Sequence, residues 1–524
     1  MLRPVFFTAC TLLFFNYLPA QNQPPVLSNL TATVDWNFNT LTLQYDVSDP
    51  ENDPLEVTVF LSDNGGKSYD LTSLITASGD VGFPVTPGAS RSIVCDVSML
   101  ATLMNTYTVR VVADDKQDFD LQALVNEVDS NRIHNDLAFV EGVRHRSTGP
   151  VHLQAMRDSL SNLFNDSGLY TEEHTFPYGT YTGRNILGSL QGTSNAEKVV
   201  VVDAHYDTVA NAPGADDNGS GTVGVMEIAR LLSRYPSKKT LRFIGFDLEE
   251  SGLLGSIAYV TNGIPNGEQI DGVFNFEMIG YYSDQPNSQQ LPAGFDLLFP
   301  VAYYEVTNNQ SRGDFIANIG NTNSQPLATI FKDAATQYVP DLKVITLDVP
   351  GNGQIAPDFR RSDHTPFWEA GDQALMLTDG ANFRNMSYHT PQDVFENKLS
   401  FTFMSNVVKA TLAAAAELAE IQHGDWASAS FQNIVGTKAP QPCELQAYVT
   451  GEQRDLLHLQ AGDCVYSNLS FELYDAKGAL ITQQSATVLP LSTETVWIPE
   501  LKPGVYTLRL NHRDGARSQL IIVP

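Results

Sequence analysis

The chain has 524 residues, which at about 100–200 residues per domain predicts roughly three domains. Hydrophobic residues make up 42% and aromatics 10%, enough for sizeable cores and too much for a disordered chain. Acidic residues number 60 against 31 basic, a net charge of −29; this leaves no broad cationic surface for a phosphate backbone and excludes nucleic acid as a partner.

Residues 1–20, MLRPVFFTACTLLFFNYLPA, place one Arg before an apolar run and small residues after it. This reads as a secretory signal peptide cleaved after Ala20, the run being short for a bilayer span. Cleavage removes Cys10 and leaves Cys95, Cys443 and Cys464. The last two are near enough in sequence to pair, while Cys95 reads as a small buried apolar residue.

From 21 to 115 apolar residues alternate with polar ones: Leu41, Leu43, Tyr45, Val47, then Leu55, Val57, Val59, Leu61, then Tyr107, Val109, Val111. Period two predicts strands with one buried face, and DPENDP (49–54) and DNGG (63–66) predict the turns. An immunoglobulin- or fibronectin-like β-sandwich is expected. DPENDP reads as a polar turn rather than a calcium loop, since no full ligand loop is present. Residues 116–135 are polar and read as a linker leading into the next domain.

Between 136 and 423 strands and helices alternate. Val199–Val202 reads as a buried parallel strand, Thr222–Tyr235 as a helix with Val225, Met226, Ala229 and Leu232 on one stripe, and 403–421 as an Ala-rich final helix. Leu241–Phe246 and Val273–Phe276 are further buried strands. This predicts an α/β three-layer sandwich with a mostly parallel sheet. From 438 to 524 alternation returns (Leu469, Phe471, Leu473), and the end reads LKPGVYTLRL, an HRDG turn, then QLIIV. It resembles the C-terminal sorting domain of the type IX secretion pathway. That resemblance implies a second β-sandwich, secretion machinery as a partner, and a secreted or cell-surface location.

Residues able to do chemistry collect at the C-terminal ends of the α/β strands, where open parallel sheets place their sites. They are His205 and Asp207 in AHYDT, Asp216 and Asp217 in GADDNGSG, Glu249 and Glu250 in FDLEESG, Glu277 in FNFEMIG, Asp363 and His364 in RRSDH, and His389 in SYHTPQD. Singly, such an acid is more often a helix cap and such a His a structural residue. Together, acids at successive strand ends repel one another unless a cation sits between them, and His with carboxylate is a zinc ligand set. For two zinc ions, the +4 charge less the three carboxylates Asp216, Glu250 and Glu277 leaves one positive charge for a hydroxide, so Glu249 stays free to act as a base.

These motifs, in this order, resemble family twenty-eight of the metallopeptidases, the bacterial leucyl aminopeptidase type, over residues 136–423. The resemblance implies a two-zinc peptidase with peptide substrates. It assigns His205, Asp216 and Glu277 to one zinc and Asp216 (bridging), Glu250 and His389 to the second. It implies a cis peptide bond between Asp216 and Asp217, Glu249 as general base, and Asp207 orienting His205. Many members carry Asp where this chain has Glu277.

Other readings compete. GSGTVG (219–224) imitates a dinucleotide fingerprint, but the glycines lie too far after the strand and beside Asp216 and Asp217, so no dinucleotide is expected. Neither HExxH nor GxSxG occurs. Glutaminyl cyclases and carboxypeptidases share the fold, with Asp363, His364 and His389 as the cues of the first and Arg360 and Arg361 of the second. A non-catalytic surface adhesin needs a dead site, yet the ligand and base positions all bear suitable side chains.

Overall fold

The structure, a computed structural model, describes residues 22–100, 105–396, 399–433, 445–451, 453–461, 466–489, 492–512 and 515–523. The signal segment 1–20, Cys443 and Cys464 lie outside these residues.

The centre of the chain is an eight-stranded sheet. From edge to edge it runs Val344–Val349, Ile316–Asn321, Ala374–Thr378, Gln269–Phe276, Asn195–His205, Lys239–Phe246, Tyr181–Leu190 and Tyr170–Tyr178. The four strands from Ala374–Thr378 to Lys239–Phe246 are parallel; their flanking partners on both sides run antiparallel to them. The valine run explains itself here. Val200 and Val202 enter the core on one face, and Val199 and Val201 the core on the other, so no position faces water. Helices Pro150–Asp166, Gly221–Leu232, Gln325–Tyr338 and Phe401–Ala419 supply the first face. Pro300–Asn308 and His364–Ala370 supply the second.

Residues 116–135 are a correction to the sequence reading: they are not a plain linker. They hold helix Leu121–Asn126 and the start of Ser130–Val140, each opened by an Asp side chain that caps a backbone N–H. Leu121, Leu124, Val125, Val128 and Ile133 recur at helical spacing and bury into the first core face.

The N-terminal alternation appears as strands Thr40–Ser48, Leu55–Ser62 and Thr106–Asp114. Two four-stranded sheets share one core there, with Leu41, Leu43, Tyr45, Leu55, Val109 and Cys95 fully or almost fully buried. After the last helix of the central region the chain returns to this part. Gly424–Gln432 pairs antiparallel with Thr106–Asp114, and the Trp426 indole N–H donates to the Ser233 carbonyl (2.9 Å). At the C-terminal end, Tyr466–Tyr474, Leu480–Val488, Gly504–His512 and Gly515–Val523 form a four-stranded antiparallel sheet, with Leu469, Phe471 and Leu473 buried.

Candidate metal centre and active site

The candidate side chains collect at the carboxyl ends of the sheet strands or in the segments that follow them. His205 ends Asn195–His205; Glu249 and Glu250 follow Lys239–Phe246; Glu277 follows Gln269–Phe276; His389 follows Ala374–Thr378. Asp216 and Asp217 lie in the turn that opens helix Gly221–Leu232. Non-glycine residues with left-handed backbone punctuate these segments: Leu248 (φ 56°) before Glu249, Met278 (φ 58°) after Glu277, and His389 itself (φ 59°). Such conformations cost about 1–3 kcal/mol each and persist where the surroundings over-determine them, commonly at functional sites.

Two groups of potential ligand atoms form, each within 4.8 Å of one another: His205, Glu249 and Glu277, and Asp217, Glu250 and His389. Nδ1 of His205 faces the Asp207 carbonyl (3.2 Å) and carboxylate (3.5 Å). That leaves Nε2 to face Glu277 (3.5 Å), Asp217 (3.6 Å) and Glu249 (3.8 Å). Nε2 of His389 lies 3.1 Å from both Asp217 Oδ2 and Glu250 Oε2. Asp217 thus presents one oxygen to each imidazole.

The assignment of Asp216 as the shared residue is therefore corrected: the structure puts Asp217 there. Asp216 turns away, its Oδ1 accepting the Gly280 N–H (3.0 Å) and its Oδ2 the Asn385 amide (2.8 Å). The cis peptide bond likewise joins Asp217 to Asn218 rather than Asp216 to Asp217. Adjacent identical residues give the sequence no means to choose between them. Their side chains take different partners, and only the tertiary structure decides which.

The electrostatics are those of a site built for cations. Burial first, then its acidic neighbours, raise Glu249 well above the usual carboxylate range. Burial and Asp217 raise Glu250 to about 7. Burial alone would lower His389, but the Asp217 and Glu250 carboxylates outweigh it and hold the imidazole at about 10. Nε2 of His205, Nε2 of His389 and Oε1 of Glu250 are buried without a hydrogen bond. Unsatisfied imidazole nitrogens facing crowded carboxylates are the donor set a divalent ion satisfies, so the residues present fit such a group.

Supporting contacts that the sequence did not reveal surround these groups. Ser362 donates to Glu277 Oε2 (2.7 Å), and Arg361 donates to the Tyr388 hydroxyl (2.8 Å), whose ring stacks on His389 at 3.8 Å. Asp207 accepts the backbone N–H of Glu249 (3.0 Å) and of Glu250 (3.3 Å), a role beyond orienting His205. His364 stays apart: its Nε2 donates to the Phe359 carbonyl (2.9 Å) and burial lowers it to about 3. Arg360 is taken up by Glu369 and the Asn352 carbonyl. Beside Glu277 a recess opens, walled by Ile319, Phe359, Met376 and Phe383, with Arg361 and Tyr388 at its lining.

The region that holds these residues is similar to known proteins. Residues 185–415 match the Peptidase family M28 profile. The chain is 29% identical over 271 residues to the uncharacterized protein YfbL of Escherichia coli, covering 49% of this chain and 78% of that one. It is 32% identical over 222 residues to aminopeptidase YwaD of Bacillus subtilis, covering 41% and 40%. Among solved structures, the zinc aminopeptidase BSAP from Bacillus subtilis is 28% identical with a TM-score of 0.35, covering 46% of this chain and 52% of that one. The match thus spans about half or less of the YwaD and BSAP chains. Residues 185–415 are thus similar to a peptidase family M28 domain, and this is the part of the chain that holds both ligand groups.

Proposed function

We propose that the chain is a secreted two-zinc aminopeptidase, with a three-layer α/β peptidase core between two β-sandwich domains. The observation that carries the reading is Asp217, whose two oxygens face His205 and His389 and so join the two ligand groups into one centre. On this reading His205, Asp217 and Glu277 hold one zinc, and Asp217, Glu250 and His389 the other. Bound there, the ions supply Lewis acidity, polarising the scissile carbonyl and lowering the pKa of water.

The chain's own residues do the rest. Glu249 takes the proton from the attacking water and gives it to the leaving amine. Asp207 fixes His205 and the Glu249–Glu250 backbone. The recess beside Glu277 receives the side chain of the substrate's first residue. The surplus acidity of the site favours a free α-amine. A blocked N-terminus would leave desolvated acid without a partner, and a preference of roughly 10²-fold or more for the free amine is expected.

Three peptides differing only at their ends test this: free amine, N-acetylated, and N-terminal Gln. Release of the first residue from the free-amine peptide supports the reading, and equal cleavage of the acetylated peptide rejects it. Ammonia release from the Gln peptide without hydrolysis would indicate a cyclase, and loss of the C-terminal residue a carboxypeptidase.

The location belongs to the same proposal. The signal-like residues 1–20 and the sorting-domain resemblance of 438–524 support export through the outer membrane. Truncation at about residue 438 should leave a folded, active enzyme retained inside its native host. Appearance of that truncated enzyme in the medium would overturn the sorting reading.

A further inference from the structure

Two consecutive acidic pairs carry the centre, Asp216–Asp217 and Glu249–Glu250, and the structure grips both in the same way. The two oxygens of Asp207 accept the successive N–H groups of Glu249 (3.0 Å) and Glu250 (3.3 Å). The two oxygens of Asp393 accept those of Asp216 (3.0 Å) and Asp217 (3.1 Å). Both clamping carboxylates are buried, Asp207 at 3% exposure and Asp393 at 1%. A second Asp393 contact, its carbonyl accepting the Ala215 N–H (3.2 Å), ties the same loop.

A carboxylate bonded to two successive amides fixes the orientation of the peptide plane between them, and with it the directions in which the two side chains leave. In the first pair this sends Asp217 to the centre and Asp216 away. In the second it sends Glu249 toward His205 and Glu250 toward His389. Both pairs follow a left-handed residue, Gly214 (φ 63°) two positions before Asp216 and Leu248 (φ 56°) directly before Glu249. A Cβ at Gly214 would meet the Asp217 carbonyl at 2.4 Å, so that turn is closed tightly on the loop it starts.

Behind the clamps lies Arg144, fully buried. Its guanidinium donates to carbonyls at the strand end (Tyr206, 2.7 Å) and in the loop (Pro213 and Gly214, both 2.9 Å). It links the two segments while its charge faces Asp207, Asp393 and Asp217 with no carboxylate hydrogen-bonded to it.

We propose that Asp207 and Asp393 are positioning residues that hold the two acidic pairs so that Asp217 and Glu250 take their liganding orientation before any metal binds. The centre is pre-formed rather than assembled by its ions. This rests on the metal-centre reading above.

Hydrogen exchange on the full mature chain, read by mass spectrometry over peptides spanning the two pairs, tests it. With metal removed, the amides of Asp216, Asp217, Glu249 and Glu250 should stay nearly as protected as with zinc bound. Exchange that is fast without metal and slows only when zinc is added would overturn the proposal, because the ions would then be organising the loops. D393N should expose the Asp216 and Asp217 amides alone, and D207N those of Glu249 and Glu250 alone. Each should weaken zinc binding, measured against a competing chromophoric chelator, by about 10–100-fold. Unchanged zinc affinity in both variants also overturns it, and if either variant fails to fold, exchange on the unaltered chain decides. An unaltered chain that binds no zinc sinks the metal-centre reading and this proposal together; one that binds zinc yet exchanges fast when stripped sinks this proposal alone.

Discussion

Replacing Glu249 by Gln should cut turnover about 10²–10⁴-fold while both metal ions stay bound. That loss corresponds to about 3–5 kcal/mol of barrier. Distance alone does not separate base from ligand here, because Glu249 lies with His205 and Glu277 inside one potential ligand group. Charge separates them. In the proposed two-zinc centre, Asp217, Glu250 and Glu277 would supply three negative charges against four positive ones, and the remainder is what a hydroxide needs. A fourth carboxylate on the metals would remove the charge that stabilises the nucleophile. The Glu249 N–H is held by Asp207 and not by its own side chain, so the amide of E249Q, with the same shape, leaves the loop in place. Metal analysis on the purified variant decides the question: two ions with turnover lost supports the base, and one ion fewer makes Glu249 a ligand.

What the sequence made legible follows from how local each signal is. The alternation Leu41, Leu43, Tyr45, Val47 is strand Thr40–Ser48, since a half-buried strand writes its burial every second residue. Val199–Val202 is readable for the opposite reason, both faces of its strand being covered. The site is visible as a collection because its members lie at the ends of successive strands or in the segments that follow them. What stayed hidden depends on partners far away in sequence. Gly424–Gln432 alternates only weakly, with Ala and Ser filling its middle (427–430), and its pairing partner Thr106–Asp114 lies some three hundred residues earlier. Asp393 reads as an ordinary loop acid four residues after His389, and only its contact with a loop 177 residues away gives it a role. Ser362 carries no signal at all until it is seen against Glu277.

The neighbouring residues Asp216 and Asp217 should part company completely on substitution. D217A should lose metal and nearly all activity, by more than the roughly 10–100-fold that an outer hydrogen-bond partner costs. Its Oδ1 lies 3.6 Å from His205 Nε2 and its Oδ2 3.1 Å from His389 Nε2, so one truncation opens both ligand groups. D216N should keep both ions and most of its activity. Both Asp216 oxygens are occupied by donors from Gly280 and Asn385. Burial and the adjacent Asp379 also raise its carboxyl well above the usual range. The amide of D216N retains one acceptor and can donate to Asp379, at a cost of about 1 kcal/mol for the contact it mismatches. Zinc stoichiometry and thermal unfolding measured on the two variants separate the roles. If D216N sheds a metal ion while D217A retains two, the shared ligand is Asp216 and the centre has been built around the wrong carboxylate.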